Sequence, residues 1–316
     1  MLQWTRRAGL AAMLLAGAML AGCWDDDSGP DNIVETAQDN PELSLLLEAV
    51  EAADLTATLS GDGPLTVFAP TNAAFTALLA ELGLSKDQLF ADKPLLTAVL
   101  TYHVLGAEVA ADDIALGSPI EPLAGGYFKI DTSSGALAAT DGRNRVSRIT
   151  DTDIEASNGL IHIVDKVLLP ADKTVVATAV ALTQAEPPEF TLLVEALQAT
   201  GLDATLNGTG PFTVFAPTDA AFAALLAELG LTKDELFADT GLLTSVLTYH
   251  VVPALVLAAD VPVGPAITTV QGGTITVNAS LQITDANDRT AQITATDVLA
   301  SNGVVHVIDK VILPAL

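Results

Sequence analysis

Pro64-Leu65-Thr66-Val67-Phe68-Ala69-Pro70-Thr71 decides how this chain folds, and it occurs twice. The second copy, Pro211-Phe212-Thr213-Val214-Phe215-Ala216-Pro217-Thr218, lies 147 positions further on. Each copy predicts one short buried strand. Val, Thr and Phe favour the pleated backbone, and Pro70 or Pro217 cannot donate to a ladder, so the strand stops there. Thr71 and Thr218 are suited to cap helices that begin at Asn72 and Asp219. Phe75, Leu78, Leu79 and Leu82 then recur at helical spacing, as do Phe222, Leu225, Leu226 and Leu229. Gly83 and Gly230 supply the residue that ends each helix.

Outward from this strand–helix unit the two halves continue in parallel. Asp31 or Asn32 can cap a helix over Ile33 to Ala37, and a second helix carries Leu43, Leu46, Leu47 and Val50. Ser85-Lys86-Asp87-Gln88 and Thr232-Lys233-Asp234-Glu235 are capping boxes. A further helix with Leu95, Leu96, Val99 and Leu100 runs to Tyr102-His103. Residues 107–170 change to alternating Thr, Val and Ile with Gly turns, which predicts strands. Asp141-Gly142 marks a hairpin, and Asn158-Gly159 a tight turn into a last strand that Pro170 ends. The closing segment recurs at an offset of 144, so the second copy lacks three residues relative to the stretch between Gly126 and Asp141, as a shortened hairpin allows. The repeat predicts two domains, 31–171 and 172–316. Only Ala171 and Asp172 separate them, with no Gly/Ser linker, so a stiff junction is expected.

The first 22 residues read as a signal peptide. Arg6 and Arg7 precede an apolar run from Ala8 to Ala21 that is too short for an ordinary membrane-spanning helix. Leu20-Ala21-Gly22-Cys23 resembles the lipobox of bacterial lipoproteins. That resemblance implies cleavage before Cys23 and attachment to a membrane through lipid on Cys23. Trp24, rather than aspartate, follows Cys23, which by analogy with lipoprotein sorting favours the outer membrane or cell surface over the inner membrane. Cys23 is the only cysteine, so no intramolecular disulfide can form. Residues 23–30, with Asp25, Asp26 and Asp27, read as an acidic tether. The whole chain has 13 basic and 39 acidic residues, a net charge of −26. Such a chain repels phosphate backbones, which argues against a nucleic-acid partner.

The Thr-Val-Phe-Ala-Pro-Thr segments, the Tyr-His pairs that follow them, and the closing Ala-Ser-Asn-Gly…His…Asp segments at 156–165 and 300–309 stand in a fixed order. They resemble the three hallmark segments of the fasciclin domain family. The resemblance implies an α+β fold of two tandem fasciclin-like domains, each a β-sandwich-like wedge with helices packed around it. It also implies an extracytoplasmic, non-enzymatic adhesion or matrix-interaction role with a protein or polysaccharide ligand. Two family adhesion elements carry over. The tyrosine–histidine segment maps to Tyr102, His103, Tyr249 and His250. An Asp-Ile pair before the closing segment maps to Asp153 and Ile154, and conservatively to Asp297 and Val298.

The residues themselves point to no catalytic centre, metal or cofactor. His103, His162, His250 and His306 pair across the repeats, each in an apolar run, and read as buried neutral imidazoles rather than ligands. A nucleophile elbow, a zinc-protease helix and a phosphate loop are all missing. Asp285, Asn287 and Asp288 lack the glycine and terminal glutamate of a calcium loop. They align with Asp141, Arg143 and Asn144, as a hairpin turn would. The alternative to adhesion is binding of a small apolar ligand between helices and sheet, because an alanine-rich, aromatic-poor core leaves gaps.

Overall fold

The computed structural model of the chain describes residues 31–133, 135–186 and 188–315. The signal peptide, Cys23 and the tether lie outside the described residues. The first repeat runs α1 (Ile33–Gln38), α2 (Ser44–Ala52), α3 (Thr56–Leu59), β1 (Leu65–Pro70), α4 (Asn72–Leu82), α5 (Lys86–Ala91), α6 (Lys93–Tyr102) and β2 (Val104–Leu105). It continues with β3 (Pro119–Ile120), β4 (Phe128–Ser133), β5 (Ala136–Thr140), β6 (Val146–Ala156) and β7 (Gly159–Val164). The second repeats the order: α7 (Val175–Leu182), α8 (Thr191–Thr200), α9 (Leu202–Leu206), β8 (Phe212–Pro217), α10 (Asp219–Leu229), α11 (Lys233–Ala238), α12 (Thr240–Tyr249) and β9 (Val251–Val252). It closes with β10 (Ala266–Thr268), β11 (Thr274–Val277), β12 (Gln282–Thr284), β13 (Thr290–Ala300) and β14 (Gly303–Ile308). Both domains are α+β.

The expected caps are in place. Thr71 and Thr218 accept from the amides of Ala74 and Ala221, and Asn32 closes a capping box with Glu35. Gly83 and Gly230 end α4 and α10 with φ of 65° and 66°. The short helix α3 lacks a side-chain cap and a periodic apolar stripe, which is why the sequence does not announce it.

Each domain holds one seven-stranded sheet, ordered β2-β1-β7-β6-β5-β4-β3 in the first and β9-β8-β14-β13-β12-β11-β10 in the second. All six residues of β1 are buried, so this strand has apolar neighbours on both faces. Val67 and Ile161 face the helices and join Phe75, Leu96 and Val99. Phe68 and Val164 face the other way and join Tyr102, Phe128, Ile130 and Ile149, a second cluster enclosed as the sheet curls. Phe68 and Phe128 meet edge to face at 5.3 Å between ring centroids.

The parallel pairing of β1 with β7 depends on the Asn158-Gly159 turn. Asn158 donates to the carbonyls of Leu59 and Gly61, both at 2.8 Å, and accepts from the amide of Ile33 at 2.9 Å. Gly159 has φ of 149°, and a Cβ there would stand 1.8 Å from the Leu65 carbonyl oxygen. Substituting Gly159→Ala should destabilise the chain by about 3 kcal/mol or more in urea unfolding, because backbone must move. At Gly83 nothing lies within 4 Å of a built Cβ. Gly83→Ala should cost only the left-handed backbone penalty, about 1–2 kcal/mol.

Candidate functional site

The four histidines are used to fix backbone. At the end of α6, His103 Nδ1 lies 2.7 Å from the Val99 carbonyl, and the Leu168 amide donates to its Nε2 at 2.8 Å. One partner accepts and the other donates, so the ring is neutral with its proton on Nδ1. His250 repeats this with Val246 at 2.7 Å and Ile312 at 3.1 Å. Burial lowers the pKa of both rings from 6.5 to about 4. Tyr102 donates to the Tyr127 carbonyl at 2.5 Å, and Tyr249 to that of Thr274 at 2.6 Å. Tyr102, His103, Tyr249 and His250 are between 0% and 2% exposed. The expectation that these four offer an adhesion surface is therefore corrected: they lock a helix end to the sheet and present no atoms to a partner.

His162 and His306 do something the sequence does not reveal. Each accepts the amide of an aspartate nine positions earlier, Asp153 or Asp297, at 3.2 Å. The other ring nitrogen donates to the carbonyl of Val109 or Val256 at 3.0 and 2.9 Å. Both aspartates sit at a register shift in the long β6 or β13 strand, with φ of 57° and 59°. Such a backbone costs about 1–3 kcal/mol and persists only where its surroundings hold it. Here they do: Asp153 Oδ1 accepts the Ala111 amide, and Asp297 Oδ1 that of Ala258, both at 2.8 Å. The carboxylate is thereby aimed, not left to rotate.

The two copies of this element differ in their surroundings. Asp297 is buried, and its Oδ2 meets Lys129 Nζ of the first domain at 2.8 Å. Lys129 also meets Asp131 at 2.9 Å. Burial alone would pull the lysine pKa down, but the two carboxylates outweigh it and raise it. Three further contacts join the domains. Asn144 donates to the Leu299 carbonyl at 3.1 Å and accepts its amide at 2.7 Å, and Ser118 donates to Asp260 at 2.9 Å. Val298, half-buried, packs against the core of the second domain. In the first domain Asp153 is exposed and Ile154 half-buried, packed against the helical core. Among the described residues Asp153 makes no hydrogen bond or ion pair to the second domain, whereas Asp297 is consumed by the Lys129 pair.

Asp141, read in sequence only as a turn residue, is 1% exposed and organises the end of the first domain. It accepts the amides of Arg143, Arg145 and Leu169 and is paired with the Arg145 guanidinium at 2.8 Å. Asp285 repeats this with Asn287, Arg289 and Leu313. The weak resemblance to a calcium loop is thus a buried, fully hydrogen-bonded turn. Among the described residues no group of three or more His, Cys, Asp or Glu side chains is placed to hold a metal ion. No helix among them is long and apolar enough to cross a membrane.

A model of the fasciclin domain matches the chain twice, over residues 41–170 and 188–314. The chain belongs to the fasciclin-domain family. It is 29% identical to transforming growth factor-beta-induced protein ig-h3 of Sus scrofa over 258 residues, 81% of this chain and 35% of that protein. It is 41% identical to protein sll1483 of Synechocystis over 141 residues, 44% of this chain and 73% of that one. Among solved structures it is similar to a FAS1 domain pair from the insect cell adhesion molecule fasciclin I, with a TM-score of 0.41 and 18% identity. That likeness covers 89% of this chain and 95% of the other. The fasciclin-domain chain thus spans about a third of the length of the ig-h3 relative.

Two outcomes follow from these geometries. The depressed pKa values of His103 and His250 mean that the unfolded state takes up protons first. Their stabilisation is complete above pH 6.5 and is lost as pH falls from 6.5 towards 4, up to roughly 3 kcal/mol per ring. Urea unfolding across that range should show this loss, and a His103→Gln, His250→Gln variant should show a shallower one. Separately, Lys129→Ala strands the buried Asp297 carboxylate and should cost about 3–5 kcal/mol. A Lys129→Ala, Asp297→Ala double variant should lose less than the sum of the two single variants in thermal unfolding.

Proposed function

We propose that this protein is a non-enzymatic adhesion or matrix-interaction module of the cell envelope, held by lipid on Cys23 and facing outward from the outer membrane or cell surface. The observation that carries this reading is the exposed Asp153 carboxylate. A positive-φ backbone whose amide donates to the His162 ring, and the Ala111 amide on Oδ1, hold it in place. A strained, pre-oriented polar group on a rigid sheet is what a binding surface needs, because little freedom remains to be lost on contact. The buried histidines support a binding role over a catalytic one. Both nitrogens of each ring are committed to backbone atoms, so none is placed as a base beside a nucleophile.

The test is attachment. Deleting the gene should reduce cell attachment or biofilm, and protease added to intact cells should remove the lipidated protein. Unchanged attachment, or protection of the protein until the envelope is opened, would overturn the reading.

A second reading has its own observation. In the second domain an apolar pocket of about 180 Å³ is lined by Phe222, Leu225, Leu236, Leu243, Val246 and Leu313. An apolar lining of this kind accepts small apolar molecules. If it serves as a ligand site, benzene should raise the unfolding temperature and Val246→Phe should abolish the rise.

A further inference from the structure

The interdomain contact is a worked example of how this fold joins to another, and the two repeats show which half of it is still open. The first domain contributes the side-chain donors Lys129, Asn144 and Ser118, with the Asn144 carbonyl also accepting the Leu299 amide. The second contributes acceptors: Asp297, the Leu299 backbone and Asp260. The repeat offsets carry each of these positions onto its counterpart. The Tyr102–Tyr127 and Tyr249–Thr274 hydrogen bonds fix the register on the sheet edge.

On the second domain the donor edge is gone. Lys129 becomes Thr276, Asn144 becomes Asp288 and Ser118 becomes Pro265, so the ammonium, the amide and the hydroxyl are all lost. On the first domain the acceptors are all kept. Asp297 corresponds to Asp153, Asp260 to Asp113, and the Leu299 backbone to that of Glu155. Asp153 and Asp297 share the same positive φ, the same histidine contact and the same amide contact, so the acceptor is formed in both domains.

The open copy has also changed character. In the second domain Leu299 is buried in a small apolar cluster against which Leu255 packs, and Ala259 lies against the first domain, 2.9 Å from a Cβ built on Gly117. Their counterparts are Glu108, Glu155 and Asp112. With Asp113 and Asp153 these make five exposed carboxylates, none of them in an ion pair among the described residues. The Asp153–Ala111 hydrogen bond puts Asp112 and Asp113 beside Asp153, and like charges gathered on one face favour an incoming cationic surface.

We propose that this face of the first domain is a docking surface for another protein that presents a basic strand edge, with a lysine ammonium on Asp153 as Lys129 sits on Asp297. A second copy of this chain does not supply that edge, because its own donor positions hold Thr276, Asp288 and Pro265. The chain is therefore an end piece: it receives a basic partner but does not extend itself head to tail. This deepens the binding role proposed above and rests on it.

The test restores the missing donors. In the variant Pro265→Ser, Thr276→Lys, Asp288→Asn, the second domain carries the edge that the first already uses. Sedimentation should find the wild-type chain monomeric and the variant in head-to-tail species that dissociate as salt is raised. Adding Asp153→Asn to the variant should weaken association by at least about tenfold. Because the variant could misfold, the wild-type chain is also titrated with a backbone-cyclised peptide of residues 117–133, which carries Ser118 and Lys129. The amide resonances of Ala111 and Asp153 should shift, and a peptide with Lys129→Gln should leave them in place. A folded variant that stays monomeric, or unmoved resonances with the lysine peptide, overturns the proposal. Wild-type self-association that Asp153→Asn abolishes puts a second copy on the face and overturns it equally. Cells that lose attachment on gene deletion but keep it with Asp153→Asn reject this surface while leaving the adhesion reading intact.

Discussion

The parallel pairing of β1 with β7 is the constraint on which each domain depends. It joins segments almost a hundred residues apart and forms the surface against which the helices pack. Asn158 makes the closure specific: one side-chain amide ties the turn to the loop before β1 and to the start of α1. Gly159 then lets the two backbones approach to a distance that no side chain permits. With that pair in place, Val67 and Ile161 define the helical core, and Phe68 and Val164 define the enclosed one.

Polar groups inside the fold are spent on joining elements rather than on chemistry. His103 ties the end of α6 to the segment after β7, His162 ties the strained Asp153 to the loop at Val109, and Asp141 gathers three amides and a guanidinium at one end of the domain. An unpaired group at any of these positions would carry a desolvation cost larger than a typical hydrogen bond returns. Their arrangement recurs almost atom for atom in the second domain. The recurrence makes departures between the repeats informative.

Those departures gather on one pair of surfaces. The second domain's Asp297 and Leu299 are covered by the first domain, while Asp153 and Glu155 face outward. A single fold thus has a donor edge and an acceptor face, and the tandem chain uses one of each. Joining them buries Asp297 and most of Lys129, a close ion pair whose geometry is reinforced by Asp131 and Ala258. A pair buried in this way specifies orientation more than it adds stability.

The repeat, the strand–helix unit at each Thr-Val-Phe-Ala-Pro-Thr segment, the capping residues and the family resemblance are all legible in the amino-acid sequence. These are local signals: a proline cannot donate, a threonine caps, and leucines at helical spacing share a face. The sequence also indicated that the histidines are buried, because each stands in an apolar run. It takes the packed fold to show that Tyr102, His103, Tyr249 and His250 are buried away from any partner, and that Asp141 is a buried hub rather than a surface turn. That fold alone separated Asp153 from Asp297. The two lie in near-identical local sequence, and what distinguishes them is whether another domain's lysine arrives from a distant part of the chain. Periodicity and capping cannot encode that, because it depends on where two folded surfaces meet.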